Sequence, residues 1–390
     1  MIPGSQTGNE ALKRPKRVML VVGEASGDLH AAHLVKSLYE REPTLEIFGV
    51  AGEGLKRAGI KVLFDVDRLT GMGFAELAGN LKTLWQAYRL LQKALREEKP
   101  DLLILVDFPE FNLRLARLAK KLRIPVLYYI SPQVWAWRKR RTRKIARWVD
   151  RMAVVFPFEV PLYQNAGVQA SFVGHPLLDV VHAGEPRERT LRQYGLEPSR
   201  QTIALLPGSR RREVAYHLPP MLEAADHLRR QLEVQFILVR ASTVERRILE
   251  GILDQAGAKV SIAEANTYNV LHACDLVWAA SGTATLETAL MLRPMIIVYR
   301  LSWLTYCLAR LLVRVKHIGM VNIVAGETVA PELIQSDVTA ERIVAESLAI
   351  LKDPELQGRI VKKLAAVKEK LGSPGAADRV AGIALEMMAG

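Results

Sequence analysis

The stretch LLILVDFPEFN, residues 102–112, decides how the rest of the chain is read. Five consecutive apolar residues lead into Asp107, and a stretch of helical character follows. An unbroken apolar run of this length is the signature of a strand covered on both faces, not of one with a wet side. A strand running straight into a helix is half of a parallel crossover unit. Working outward, the same motif recurs: VMLVV (18–22), EIFGV (46–50), VLYYI (126–130) and MAVVF (152–156), with amphipathic stretches between them. It restarts after residue 200 with TIALLP (202–207), VQFILVR (234–240), KVSI (259–262), DLVWAA (275–280) and PMIIVYR (294–300). Two α/β domains with parallel sheets are predicted, 17–190 and 200–370. The polar segment 182–200 is read as the linker, 1–16 as a disordered lead-in, and 371–390 as a helix free to cross back to the first domain.

Composition agrees. In 390 residues, 49% are hydrophobic and 6% aromatic, enough for two aliphatic cores and too apolar for a disordered chain. Two cysteines exclude a disulfide framework. The formal net charge of +13 calls for an anionic partner: nucleic acid, acidic lipid or a phosphorylated substrate. No apolar run approaches the roughly 20 residues of a membrane span.

Open parallel sheets bind ligands at the carboxyl ends of their strands, so the residues following each run are the candidates. After the first run comes GEASGD (23–28); Glu24 is the odd member, an acid with nothing evident to cap, while Ser26 and Asp28 suit a helix cap. Asp107 is either a general base or, with Asn112, a cap on the helix that follows. SPQVWAWRKRR (131–141) puts Trp135 and Trp137 beside four basic residues, open to lipid, a sugar phosphate or a solvated helix face. No RNA-binding or helix-turn-helix signature accompanies it, and no nucleic-acid partner is expected. In the second half, Gly208-Ser209-Arg210 offers backbone donors and a guanidinium fork to a diphosphate. Ser281-Gly282-Thr283 offers a second such loop, and Glu287 one turn on suits ribose hydroxyls. Asp65-Val66-Asp67 is a lone D-x-D better explained by capping or solvent, and no His/Cys cluster has zinc spacing, so neither metal nor cofactor is expected. His175 either lines a cleft or is a satisfied buried histidine. Residues 76–96 and 302–316 are basic and amphipathic, suited to a membrane interface or to a core with a charged outer face.

Together these blocks resemble the lipid-A-disaccharide synthase family. The resemblance is carried by GEASGD (23–28), GMGFAEL (71–77), DFPEFN (107–112), SPQVWAWR (131–138), FPFE (156–159), FVGHPLLD (172–179), LPGSR (206–210), SGTATLE (281–287), and by MVNIVAG (320–326) with PELIQ (331–335). It implies a GT-B fold, two Rossmann-like domains facing across a cleft. It implies transfer from UDP-2,3-diacylglucosamine to 2,3-diacylglucosamine 1-phosphate (lipid X), giving a β-1,6-linked disaccharide phosphate and UDP, without metal, on the cytoplasmic face of the inner membrane. Asp107 would then be the base, Glu24 its rival, and Arg210 a catalytic cation. Gly208, Ser209, Ser281, Gly282, Thr283, Glu287, Asn322 and Gln335 would bind substrate or UDP. Phe108 departs from the family pattern, which often has a small residue there. Oligomeric state, a homodimer included, stays open. The rivals are a GT-B epimerase or transferase with a soluble acceptor, and a basic nucleic-acid binder.

Overall fold

The computed structural model describes residues 14–66, 77–132, 142–303, 305–307 and 316–389. The chain divides into two compact units, Met1–Pro176 with Gly375–Gly390, and Leu177–Pro374.

The first unit runs β1 (Arg17–Val22), α1 (Ala25–Arg41), β2 (Glu46–Ala51), α2 (Glu53–Arg57), β3 (Lys61–Asp65), α3 (Leu77–Glu98), β4 (Leu102–Val106), α4 (Pro109–Lys121), β5 (Val126–Tyr129), α5 (Thr142–Trp148), β6 (Arg151–Val154), α6 (Glu159–Gln164) and β7 (Gln169–Phe172). Its seven strands lie parallel in the order β3-β2-β1-β4-β5-β6-β7. All five residues of β4 are buried, as the continuous apolar run requires of a strand with helices on both faces. The direction of winding reverses between β1 and β4, where Val22 pairs with Val106. The residues just beyond this pair are therefore placed at a topological switch point, where loops from adjacent strands part and leave a crevice.

The second unit runs α7 (Leu177–Val180), α8 (Arg187–Gln193), β8 (Gln201–Leu206), α9 (Arg211–Arg229), β9 (Val234–Val239), α10 (Arg246–Ala256), β10 (Ser261–Ala263), α11 (Thr267–Ala273), β11 (Leu276–Ala280), α12 (Ala284–Leu290), β12 (Met295–Tyr299), α13 (Met320–Ala325), β13 (Glu332–Ile334), α14 (Ala340–Leu351) and α15 (Pro354–Lys370). The strand order β10-β9-β8-β11-β12-β13 reverses between β8 and β11. The loops after those two strands are the two phosphate-loop candidates.

The boundary differs from the expected one. Residues 182–200 were expected to form a linker on polar composition, yet they belong to the second unit. The Arg187 guanidinium donates to both carboxylate oxygens of Asp275 at 3.1 and 2.9 Å, and to Arg200 O at 2.9 Å. A half-buried ion pair of this bidentate form fastens α8 to the sheet. The last helix, α16 (Ala376–Ala389), belongs to the first unit. There Arg41 holds Asp378 through two hydrogen bonds of 2.9 and 2.6 Å, and Lys16 Nζ donates to Met388 O at 3.0 Å.

Asp28 shows how a motif acid can be spent on architecture. It lies in the first turn of α1 but is not a cap on that helix. Its buried carboxylate accepts from the Gly52, Gly54 and Leu55 N–H groups at 2.6, 2.7 and 3.4 Å. It thereby closes the N-terminus of α2 from a different segment. Asp28→Ala strands these donors and is expected to destabilise the first unit by about 2–3 kcal/mol. Chemical denaturation measures this, and a change below about 0.5 kcal/mol would contradict the assignment.

Candidate functional site

At the first switch point, Asp107 and Phe108 both have left-handed backbone, φ 49° and 50°. Asp tolerates that region; Phe does not adopt it without support. The support is visible. Asp107 O accepts from Asn112 Nδ2 at 2.7 Å and from the Tyr128 hydroxyl at 2.5 Å. Asn112 Nδ2 also donates to Val106 O at 3.2 Å, and its side chain is fully buried. Phe108 stacks on Phe111, centroids 5.4 Å apart, and lies across Gly23, where an added Cβ would meet Phe108 Cβ at 2.1 Å. Gly23 is therefore required by close approach, and it brings the end of β1 against the end of β4.

This packing half-buries Asp107. Burial raises its carboxyl from an ordinary 3.8 to about 6, and the like charge of Glu24 pushes in the same direction. The Phe108 backbone N–H opposes both. Glu24 is exposed, sits at the N-cap of α1 and makes no side-chain capping bond. Asp107 and Glu24 are thus brought together electrostatically, as two acids at the ends of neighbouring strands.

In the second unit, Gly208 has φ +123°, and an added Cβ would meet Glu213 Cβ at 2.6 Å and Oε2 at 2.7 Å. The loop instead admits that carboxylate. Glu213 Oε2 accepts from Ser209 N at 3.0 Å and Arg210 N at 3.3 Å, while Oε1 takes Arg210 Nη1 at 3.1 Å. The donors expected to face a diphosphate already converge on an anion supplied by the chain. The Arg210 side chain remains 72% exposed, so its fork is within reach of solvent. Thr243 Oγ1 donates to Ser209 O at 2.6 Å, and His217 Nδ1 contacts Pro207 O at 2.8 Å.

The neighbouring loop holds Ser281, Gly282 and Thr283. Ser281 donates its hydroxyl to Ile318 O at 2.9 Å and its N–H to Val298 O at 3.2 Å. Thr283 is exposed and Gly282 half-buried. Glu287 accepts from the Tyr268 hydroxyl at 3.3 Å, and burial raises its pKa above the ordinary carboxylate value.

Asn322 and Gln335 lie elsewhere in the hydrogen-bond economy. Asn322 is fully buried: Nδ2 donates to Ala330 O and Glu332 Oε1, both at 2.8 Å, and Oδ1 accepts from Val329 N and Ala330 N at 2.7 and 2.9 Å. Gln335 clamps Leu301, accepting its N–H at 2.6 Å and donating to its carbonyl at 3.2 Å. Both side chains bond within their own unit, Gln335 to backbone alone and Asn322 to backbone and the Glu332 carboxylate. His175 is buried beside the Phe156 ring, 5.2 Å away, and desolvation lowers its pKa to about 3, holding it neutral. Asp65 pairs with Lys56 Nζ at 2.7 Å. Asp67, residues 71–76, Trp135, Trp137, the basic run 138–141 and residues 308–315 lie outside the described residues. Among the described residues no group of three or more His, Cys, Asp or Glu is arranged to hold a metal.

Tyr128, Glu213 and His217 were missed in the sequence. Glu213 carried a signal: an acid three residues after the helix-starting Arg210 has capping-box spacing. Tyr128 and His217 carried none, because their partners are backbone atoms on other segments.

Solved structures share this architecture. A putative UDP-N-acetylglucosamine 2-epimerase from Listeria monocytogenes aligns with a TM-score of 0.65 at 14% identity over 94% of both chains. The glycotransferase of kitacinnamycin aligns with a TM-score of 0.65 at 15% identity, over 96% of this chain and 100% of that one. Two Rossmann-like units of this topology define a GT-B fold, the class shared by many glycosyltransferases and these epimerases. Within the class, the profile of the lipid-A-disaccharide synthetase family matches residues 18–376. Lipid-A-disaccharide synthase of Geobacter metallireducens is 50% identical over 374 residues, 96% of this chain and 97% of that one. That of Syntrophus aciditrophicus is 50% identical over 375 residues, 96% and 98%. The chain belongs to the lipid-A-disaccharide synthase family, enzymes that form the disaccharide of lipid A.

Proposed function

We propose that Asp107 is the general base of that transfer and that Arg210 stabilises its leaving group. The acceptor is 2,3-diacylglucosamine 1-phosphate and the donor UDP-2,3-diacylglucosamine. Asp107 takes the proton of the acceptor 6-hydroxyl as its oxygen bonds to the anomeric carbon. The bond from that carbon to the diphosphate breaks, and UDP departs with the electron pair. One displacement inverts the anomeric centre. The observation that carries this reading is the state of Asp107: a carboxyl at the first switch point, raised to about 6 by burial and by Glu24. A base is most useful with a pKa near the working pH, stronger than an ordinary carboxylate yet still mostly ionised at pH 7.

On the donor side, the exposed Arg210 guanidinium and the Ser281-Gly282-Thr283 loop receive the diphosphate, the Gly208-Ser209 loop, shaped by Glu213, presents Arg210 to it, and Glu287 receives the ribose. Preorganised donors aimed at developing charge are usually the largest catalytic contribution. Asn322 and Gln335 act indirectly, Asn322 by holding Val329, Ala330 and Glu332 and Gln335 by holding Leu301. The acylated substrates and the net charge of +13 support work as a peripheral protein on an anionic membrane, at the cytoplasmic face. No helix among the described residues is long and apolar enough to cross a membrane.

Glu24→Gln tests the division between the two acids. The transfer assay uses both acylated substrates in detergent micelles with a chelator present. Removing the Glu24 charge favours ionised Asp107, so the acid limb of kcat/KM, centred near pH 6, is expected to move to lower pH with kcat largely kept. Loss of activity at every pH would make Glu24 the base.

A further inference from the structure

His217 is fully buried in the second turn of α9, and the proton transfers assigned above make no use of it. Its two ring nitrogens have different partners. Nδ1 lies 2.8 Å from Pro207 O, and Nε2 lies 2.9 Å from Arg300 N. A carbonyl only accepts and an N–H only donates, so the partners fix the tautomer: neutral, with the proton on Nδ1. Burial favours the same neutral state.

The two backbone atoms belong to loops that do not touch through the sheet. Pro207 follows β8 and Arg300 follows β12, with β11 between them. The imidazole thus bridges the end of β8 to the end of β12 across one intervening strand. Leu301, the next residue, is gripped at both its N–H and its carbonyl by Gln335. On the other side of the bridge, Ser209 O is held by Thr243, and the Ser209 and Arg210 N–H groups by Glu213. The Tyr299 ring lies 6.2 Å from His217, and the same tyrosine interacts electrostatically with both Glu213 and Arg210. The β12 end and the Arg210 loop are therefore one electrostatic neighbourhood, and His217 sets its spacing.

We propose that His217 is a positioning residue for the nucleotide diphosphate: by bridging Pro207 O and Arg300 N it fixes the Arg210 loop relative to the end of β12. This rests on the assignment of that loop to the diphosphate. It predicts a defect confined to the donor side, because both atoms that His217 bridges, Pro207 O and Arg300 N, belong to the unit that carries the Arg210 loop.

The test is calorimetric titration of the full chain with UDP, beside steady-state kinetics, for wild type, His217→Leu, His217→Gln and His217→Asn. In His217→Leu both bridges are lost. The UDP Kd and the donor KM are expected to rise about tenfold, with the acceptor KM within about twofold of wild type. His217→Gln, whose amide can still meet one partner, is expected to recover part of the affinity. A folded His217→Leu protein with wild-type UDP affinity overturns the proposal. So does a loss shared equally by donor and acceptor, which is the mark of general loosening. If His217→Leu does not fold, the Gln and Asn variants decide: weakened UDP binding in both supports the bridge, and wild-type binding in either refutes it. Failure of the wild-type protein to bind UDP removes the diphosphate assignment itself, and the wild-type titration shows that separately.

Discussion

Asp107→Asn is expected to lower kcat by about 10³-fold while making the first unit more stable. Asparagine is the informative substitution because it keeps the shape and tolerates left-handed backbone at φ 49°. Alanine would add a backbone penalty of about 1–2 kcal/mol and confound the reading. The two effects have one cause. Burial and the Glu24 charge raise the carboxyl from 3.8 to about 6, so the folded protein holds the ionised form at a disadvantage. Between those two values the folded state binds more protons than the unfolded state, so stability falls as pH rises through the window. Above pH 6 the whole penalty, up to about 3 kcal/mol, is present. A neutral amide does not pay it. Thermal unfolding at pH 7 is therefore expected to shift upward in Asp107→Asn, and the gain should vanish near pH 4. Wild-type turnover by a well-folded Asp107→Asn protein would remove Asp107 from the base role. Lost turnover with no gain in stability would mean that the carboxyl is not strained at neutral pH.

How much of this was legible follows from what each residue's partner is. The strands were readable because their signal is local: LLILV and TIALL are continuous apolar runs, and both proved buried. The switch points were not readable, since that β1 lies beside β4 and β8 beside β11 depends on pairing across the chain. The motif acids show the same limit more sharply. Glu24, Asp28 and Asp107 all follow strand ends, and local pattern offered Asp28 only as a cap on its own helix. The fold spends Asp28 on three backbone N–H groups and leaves Glu24 exposed. Asn322 and Gln335, offered as binding residues by the family resemblance, are likewise bonded to backbone of their own unit, a partnership their own neighbourhood in sequence does not reveal. The segment 182–200 looked like a linker because it is polar, but its key arginine answers an aspartate 88 residues away. A residue whose partner is backbone elsewhere in the fold leaves no pattern in its own neighbourhood.

Arg210→Ala is expected to lower kcat by about 10²-fold or more, the loss typical of removing one preorganised donor from a leaving group's developing charge. The resting geometry sharpens the expectation. Arg210 Nη1 sits on Glu213 Oε1 in a pair whose arginine is 72% exposed, so the contact itself contributes little to stability. The variant should therefore unfold at nearly the wild-type temperature. The Ser209 and Arg210 N–H groups are main chain and stay on Glu213 in the variant, which leaves the loop's shape intact. What is removed is the guanidinium alone. A cation that serves the departing diphosphate more than the bound donor should depress kcat and kcat/KM together, with a smaller effect on donor KM. Arg210→Lys should recover only part, because an ammonium supplies the charge but not the two-pronged fork. If instead Arg210→Ala raised donor KM and left kcat unchanged, Arg210 would hold the donor equally in ground and transition states, and the leaving-group role would pass to the donors of the Ser281–Thr283 loop. The two outcomes differ in a single plot of rate against donor concentration, measured at saturating acceptor.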